Sequence, residues 1–263
     1  MAKFNCNVIS YTLKRTVDIT VIVPTPSIPE SLGLGGVKPS HTPKEKYPVL
    51  YLLHGYGNNH ATWSGYSNVE FFAEERNIAV VMISGENKFY VNHPNGENFY
   101  DFIADELPEF ICGMFPISDK PKDTYIAGLS MGGFGTLVHA LSRPEKFCAF
   151  GAFSAGIALN SELFNGGNNA KFDEEFDPLT LAKKLVKEGR KFPKAYIACG
   201  EEDFLYKDNV NFVHELSEMG VEVNWVSVPK YMHEWRFWNM QVEAFLDWIP
   251  RTDIYAKAGK RQI

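Results

Sequence analysis

The sequence predicts an α/β protein with a mostly parallel central sheet, an antiparallel strand pair at its N-terminal edge and helices on both faces. Short apolar runs recur at Val49–Leu53, Ile78–Ile83, Thr124–Ala127, Ala149–Phe153, Ala195–Cys199 and Val223–Val228. Several are apolar at nearly every position, as parallel strands buried on both faces require. The segments between them are long enough for crossover helices, the pattern of a doubly wound sheet. Ahead of them, Val17, Ile19, Val21 and Val23 alternate with Asp18, Thr20 and Ile22, which reads as a half-buried strand paired with Asn7–Lys14.

Pro24 to Pro48 is rich in Pro, Gly and Ser and reads as a surface loop. Asn98 to Pro108 reads as the start of a crossover helix. Lys207 to Gly220 is helical, with Val210, Val213 and Leu216 on its apolar side and His214 on the solvated one. Residues 156–178 break the rhythm with a polar, Gly- and Asn-rich stretch. That length is unusual for a connection, so it is expected to be a lid or an insertion loop. No repeat or linker divides the chain, and residues 1–263 read as one domain.

The 263 residues are 45% apolar and 22% charged, with a net charge of -6. An acidic balance argues against nucleic acid or an anionic membrane as the main partner. No apolar run approaches the roughly 18 residues that span a bilayer. Met1 to Cys6 shows no secretory leader, and the four cysteines lie far apart. A reduced cytoplasmic protein is the expectation, although a secreted chain trimmed of its leader would read the same. Assembly into a homo-oligomer is compatible with the sequence and not specified by it.

Gly128-Leu129-Ser130-Met131-Gly132 matches G-x-S-x-G, which is weak until its context is read. Asp123–Ala127 before it is a good strand. After it, Met131, Phe134, Leu137, Val138 and Leu141 form a helical apolar stripe that Arg143-Pro144 ends. A sharp strand-to-helix turn of this kind lifts a serine hydroxyl clear of the sheet, making Ser130 the candidate nucleophile.

A serine needs a base, and the base needs an orienting carboxylate. Chain order on such a scaffold is Ser, then Asp or Glu, then His. His41, His54, His60 and His93 precede Ser130, and His139 lies on its helix. His233 falls just after the last strand, where open α/β sheets assemble sites, and is the candidate base. The acid is expected after Ala195–Cys199, where Glu201, Glu202 and Asp203 compete and position alone does not choose. The oxyanion donors are expected to be the backbone N–H groups of Met131 and of Tyr56, within His54-Gly55-Tyr56-Gly57. His54 is read as structural.

His54-Gly55-Tyr56-Gly57 with Trp63, Gly128–Gly133, Gly200-Glu201-Glu202-Asp203-Phe204-Leu205-Tyr206 and His233-Glu234-Trp235 together resemble the esterase D family of α/β-hydrolases. That family includes S-formylglutathione hydrolases, tributyrin-type esterases, and acetylxylan and feruloyl esterases. The resemblance spans most of the chain and selects Asp203 as the acid. It implies a serine carboxylesterase for short acyl groups, with a small-molecule or carbohydrate ester as substrate, a shallow site and no cofactor. The His54-Gly55-Tyr56-Gly57 loop departs from that of formylglutathione hydrolases and points toward the tributyrin-type and carbohydrate-acting members. Trp63, Trp235 and Tyr90 are candidate substrate contacts, with Trp238 and Phe89 beside them.

Other classes fit less well. A metal hydrolase has only His54 and His60 in a loop, without H-E-x-x-H, and no metal ligand set is assigned. Gly33-Leu34-Gly35-Gly36 lacks the strand that a nucleotide-binding turn follows. A silent binding protein keeps the scaffold but not the triad. An acyltransferase keeps both and differs only in excluding water.

Overall fold

A computed structural model of the chain describes residues 1–34, 36, 38–94, 96–157 and 174–263. Most of the stretch expected as a lid or insertion loop, 156–178, therefore lies outside the described residues. The strands are β1 (Ala2–Ser10), β2 (Arg15–Val23), β3 (Val49–Leu53), β4 (Ala79–Ile83), β5 (Thr124–Leu129), β6 (Ala149–Phe153), β7 (Lys194–Gly200) and β8 (Val223–Val228). They form one sheet in the order β1-β2-β4-β3-β5-β6-β7-β8. β2 is antiparallel to both of its neighbours, and β4 through β8 run parallel.

The helices are α1 (Ile28–Ser31), α2 (Thr62–Tyr66), α3 (Val69–Glu75), α4 (Phe99–Asp101), α5 (Leu107–Met114), α6 (Met131–Ser142), α7 (Pro178–Lys187), α8 (Tyr206–Glu218), α9 (Trp235–Trp248) and α10 (Ile254–Ala258). A π-helical turn, Phe102–Glu106, joins α4 to α5, so the crossover helix expected from Asn98 onward is present but wider in its middle. Along β3 the side chains divide between two cores. Val49, Tyr51 and Leu53 pack with α5, α6 and α7 on one face, while Leu50 and Leu52 pack with α3 and α9 on the other. Burial on both faces explains why these strands are apolar throughout rather than alternating.

Two details differ from the sequence reading. The first strand lies earlier than Asn7–Lys14, because the chain turns at Tyr11–Lys14, where Lys14 has φ 58°. The buried Glu106 carboxylate holds that turn: it accepts the Ser10 hydroxyl at 2.7 Å and the Tyr11 and Thr12 N–H groups at 2.9 Å. β2 is half-buried only at its start. From Ile19 to Val23 it is buried on both faces, because Ile22 joins the α3 core.

Register brings the strand ends level. Leu53 pairs with Gly128, Leu129 with Phe153, Phe153 with Ala198, and Gly200 with Val228. The loops leaving β3, β5, β6, β7 and β8 therefore emerge at one edge. The order reverses between β3 and β5, the crevice where open α/β sheets place their ligands.

Candidate active site

Ser130 occupies the turn between β5 and α6 at φ 52°, ψ −115°, a left-handed conformation that a non-glycine residue holds only under constraint. The constraint is visible. The Ser130 N–H donates to the Phe153 carbonyl at 2.9 Å, and its own carbonyl accepts from Phe134 N–H at 3.0 Å and Gly156 N–H at 3.1 Å. The flanking glycines are sterically required. A Cβ on Gly128 would fall on the Gly132 carbonyl, and one on Gly132 would fall on the Leu53 and His54 carbonyls.

The Ser130 Oγ lies 3.0 Å from Nε2 of His233, and Nδ1 of His233 lies 2.9 Å from Oδ2 of Asp203. Since a carboxylate only accepts, Nδ1 carries the proton and Nε2 is left to accept from the serine. The imidazole is held between rings, with Phe204 at 4.6 Å and Trp238 edge-on at 4.8 Å. Asp203 is buried, and its Oδ1 accepts the Leu205 N–H at 2.8 Å. Burial pushes this carboxyl up, but the His233 ring, the Leu205 N–H and the Ser154 hydroxyl outweigh it and hold the carboxyl below its ordinary range. Of the three competing acids, Glu201 instead accepts from the Ser227 hydroxyl and Glu202 is exposed.

The loops bearing Asp203 and His233 touch through their backbones. Glu202 N–H donates to the Tyr231 carbonyl at 3.0 Å, and a Cβ on Gly200 would strike that same carbonyl.

The Tyr56 loop leaves β3 beside the serine. His54 lies beneath it, its Nδ1 2.7 Å from the Gly55 carbonyl and its Nε2 accepting the Gly85 N–H at 2.9 Å. Burial pushes its pKa down to about 4, so the ring is neutral and serves as a strut. Met131 is the first residue of α6. Among the described residues, neither the Tyr56 N–H nor the Met131 N–H has a protein acceptor, as two donors reserved for an oxyanion would require.

These groups open onto a cleft of about 760 Å³ whose walls include Tyr56, Phe204, Glu234, Trp235 and Trp238. Trp235 is half-buried and stacks on the exposed Tyr66 at 5.3 Å. Trp63 and Tyr90, expected as substrate contacts, are both fully buried and do not line the cleft. The Trp63 indole N–H is spent on the Leu53 carbonyl at 3.0 Å, and the Tyr90 hydroxyl on the His54 carbonyl at 2.8 Å. They support the loop that leaves β3 from below. Phe89 is buried too. His214 is exposed on α8, and His60 bonds Thr20 through Nδ1 at 2.8 Å.

Two residues that the sequence did not single out belong to this assembly. Ser154, just past β6, is fully buried, and its Oγ accepts the Trp238 indole N–H at 3.1 Å. Asn209 on α8 bonds Ala155 N–H and both the Ala155 and Leu205 carbonyls. The only signal available for Ser154 was its place directly after an apolar strand run, at the end where sites assemble.

Residues 26–249 match the family model described as "Putative esterase". An acetyl esterase of Caldicellulosiruptor saccharolyticus is 29% identical, over 96% of this chain and 99% of that protein. Among solved structures, the Staphylococcus aureus fluorophosphonate-binding serine hydrolase FphF, with substrate bound, superposes with a TM-score of 0.82. It is 30% identical over 94% of this chain and 98% of its own. An S-formylglutathione hydrolase (FrmB) from the same organism gives a TM-score of 0.79 at 31% identity, covering 94% and 96%.

Proposed function

The chain belongs to this esterase family, and from that premise we propose that it hydrolyses short-chain carboxylic esters through an acyl-enzyme on Ser130. The observation that carries the assignment of residues is the unbroken hydrogen-bonded line from Asp203 through His233 to Ser130 at the wall of an open cleft. As the Ser130 oxygen attacks the ester carbonyl, His233 Nε2 takes its proton. The carbonyl oxygen, now an alkoxide, is received by the Tyr56 and Met131 N–H groups. Collapse of the tetrahedral adduct breaks the bond to the alcohol, which leaves with the proton from His233. Water then attacks the acyl-enzyme by the same route, and the carboxylic acid departs. Asp203 keeps the proton on Nδ1 and offsets the charge of the imidazolium.

The substrate reading rests on the cleft and on the relatives' names. The acetyl esterase relative favours small acyl groups, and a cleft walled by Trp235 and Trp238 suits a neutral ester with an apolar or ring-bearing alcohol. S-formylglutathione is the second reading, favoured by the 31% identity to FrmB. No Lys or Arg lines the cleft among the described residues, and that leaves the two carboxylates of glutathione without an ionic anchor. The open cleft admits water, favouring hydrolysis over acyl transfer. The four cysteines are free among the described residues, which supports a reducing compartment.

The test is a hydrolysis panel of p-nitrophenyl acetate and butyrate, a feruloyl ester, acetylated xylan and S-formylglutathione, run with wild type and Ser130→Ala. Fastest turnover of the small neutral esters, lost in Ser130→Ala together with fluorophosphonate labelling, is the expected result. Turnover retained in Ser130→Ala would overturn the assignment.

A further inference from the structure

The tyrosine that holds the His54 carbonyl is itself gripped by helix α6. Phe89 and Tyr90 stand consecutively at φ 53° and φ 63°, two left-handed residues in a row that neighbouring groups must impose. The Tyr90 ring sits between two glycines, since a Cβ on Gly85 or on Gly135 would strike it. The Tyr90 carbonyl lies 3.0 Å from Nε2 of His139. A carbonyl only accepts, so Nε2 carries the proton and donates it. Burial pushes the His139 pKa down to about 4, so the ring is neutral and has that one N–H to give. The imidazole stacks on the Tyr100 ring at 4.8 Å, which fixes its plane. Gly135 and His139 are one turn apart on the same face of α6. One receives the tyrosine ring and the other its carbonyl. The same helix begins with Met131, and Ser130 is the residue before it.

The segment that carries Tyr90 holds the loop after β3 at three points. The Gly85 N–H donates to His54 Nε2 at 2.9 Å, the Tyr90 hydroxyl donates to the His54 carbonyl at 2.8 Å, and Asn87 Oδ1 accepts the Gly57 N–H at 2.7 Å. These bonds bracket Tyr56 from both sides. We propose that His139 is a positioning residue for the ester hydrolysis: through the Tyr90 carbonyl it ties the β3 loop to α6, so that the N–H groups of Tyr56 and Met131 keep one spacing. This rests on the reading that Ser130 attacks the ester and that those two N–H groups receive the oxyanion. Both donors must stand roughly 2.7–3.1 Å from one developing charge. One belongs to α6 and the other to the β3 loop, so a slip of loop against helix weakens the transition state more than the bound ester. His139 is fully buried and does not line the cleft, and its effect passes through Tyr90.

The experiment measures kcat and KM for p-nitrophenyl butyrate in His139→Phe, His139→Asn and His139→Gln, each in the wild-type and the Tyr90→Phe background, with circular dichroism as the check on folding. Phenylalanine keeps a ring against Tyr100 and removes the donor. The Gln amide reaches about as far as Nε2, whereas the Asn amide falls short of the Tyr90 carbonyl. The expected result is kcat down roughly tenfold in His139→Phe and His139→Asn with KM within about twofold, and kcat regained to within about threefold of wild type in His139→Gln. Where His139→Phe fails to fold, the contrast of Asn with Gln carries the test. In Tyr90→Phe, where the bond to His54 is already cut, His139→Phe or His139→Asn should cost no more than about twofold further. A loss carried by KM, an equal loss in the Gln variant, or the same fold-loss in both backgrounds would overturn the proposal. A residue that merely supports the fold neither selects kcat nor depends on the Tyr90 hydroxyl. Ser130→Ala run in parallel separates the two readings. If it is inactive and the His139 losses ignore Tyr90, only the role of His139 falls. An active Ser130→Ala, or a Tyr90→Phe as fast as wild type, removes the assignment beneath it.

Discussion

The Tyr90 hydroxyl donates to the His54 carbonyl oxygen across 2.8 Å, and Tyr90 is itself held at φ 63° to do so. The bond fixes the last residue before the Gly55-Tyr56 turn, and so fixes where the Tyr56 N–H points.

Tyr90→Phe should therefore slow the chemistry without weakening substrate binding. Loss of a buried hydrogen bond costs about 1–3 kcal/mol of stability. With the Tyr56 N–H proposed as an oxyanion donor, loosening it should lower kcat roughly tenfold and leave KM within about twofold, less than outright loss of such a donor. Steady-state kinetics with p-nitrophenyl butyrate decides it, and a change confined to KM would contradict this role.

Gly132→Ala and Gly65→Ala should part company. The new Cβ at 132 meets backbone carbonyls of Leu53 and His54, which have no rotamer to escape into, while the one at 65 meets nothing within 4 Å. The first should cost about 1–3 kcal/mol or more and most of the activity. The second, on helix α2, should be neutral or stabilising by up to about 1 kcal/mol. Denaturant melts and esterase assays on both proteins check the contrast.

Asp203→Asn should lower kcat by about 10⁴, since an amide cannot hold the proton on Nδ1 in the same way. Glu202→Gln, on an exposed side chain, should stay within about twofold of wild type. Equal losses would show that the loop as a whole matters, rather than one carboxylate.

The sequence disclosed some of this and withheld the rest for physical reasons. Ser130 was legible because a strand, two sterically required glycines and an apolar helix stripe lie next to one another in the chain. His233 was legible because order along the chain excludes five of the other histidines and His214 falls on the solvated face of its helix. Asp203 was not separable from Glu201 and Glu202, since which of three adjacent carboxylates turns inward depends on the β7–β8 loop contact at Tyr231. Trp63 and Tyr90 were misplaced for a related reason: proximity to a motif says nothing about which way an indole or phenol points. Ser154 and Asn209 were invisible because their partners, Trp238 and Ala155, lie 84 and 54 residues away and meet only through sheet register.

Acid stability should fall in a defined window. Burial lowers both His54 and His139 to about 4, against about 6.5 in an unfolded chain. Below pH 6.5 the unfolded state binds protons that the folded state refuses, so stability rises with pH between about 4 and 6.5 and levels off above. Each ring contributes on the order of 3 kcal/mol by pH 4. The carboxyls of Asp203, Glu106, Asp247 and Asp253 are held low, so their contribution begins to fall only below about pH 5, at the foot of that window, and is lost as pH drops further. Urea melts from pH 4.5 to 7.5 should show the slope, and His139→Gln should reduce it by about half. A flat profile in wild type would contradict the burial of neutral rings.

Burial, then the adjacent Asp203 carboxylate, keeps the Cys199 thiol protonated, and this has a practical side. Only thiolates attack maleimides and iodoacetamide at useful rates, and this sulfur is buried as well as protonated. A sulfur four residues from Asp203 is thereby hidden from alkylating reagents. Such reagents should leave turnover intact, which makes cysteine labelling at the more accessible Cys6, Cys112 or Cys148 a usable handle for dyes or surface attachment without blocking the enzyme.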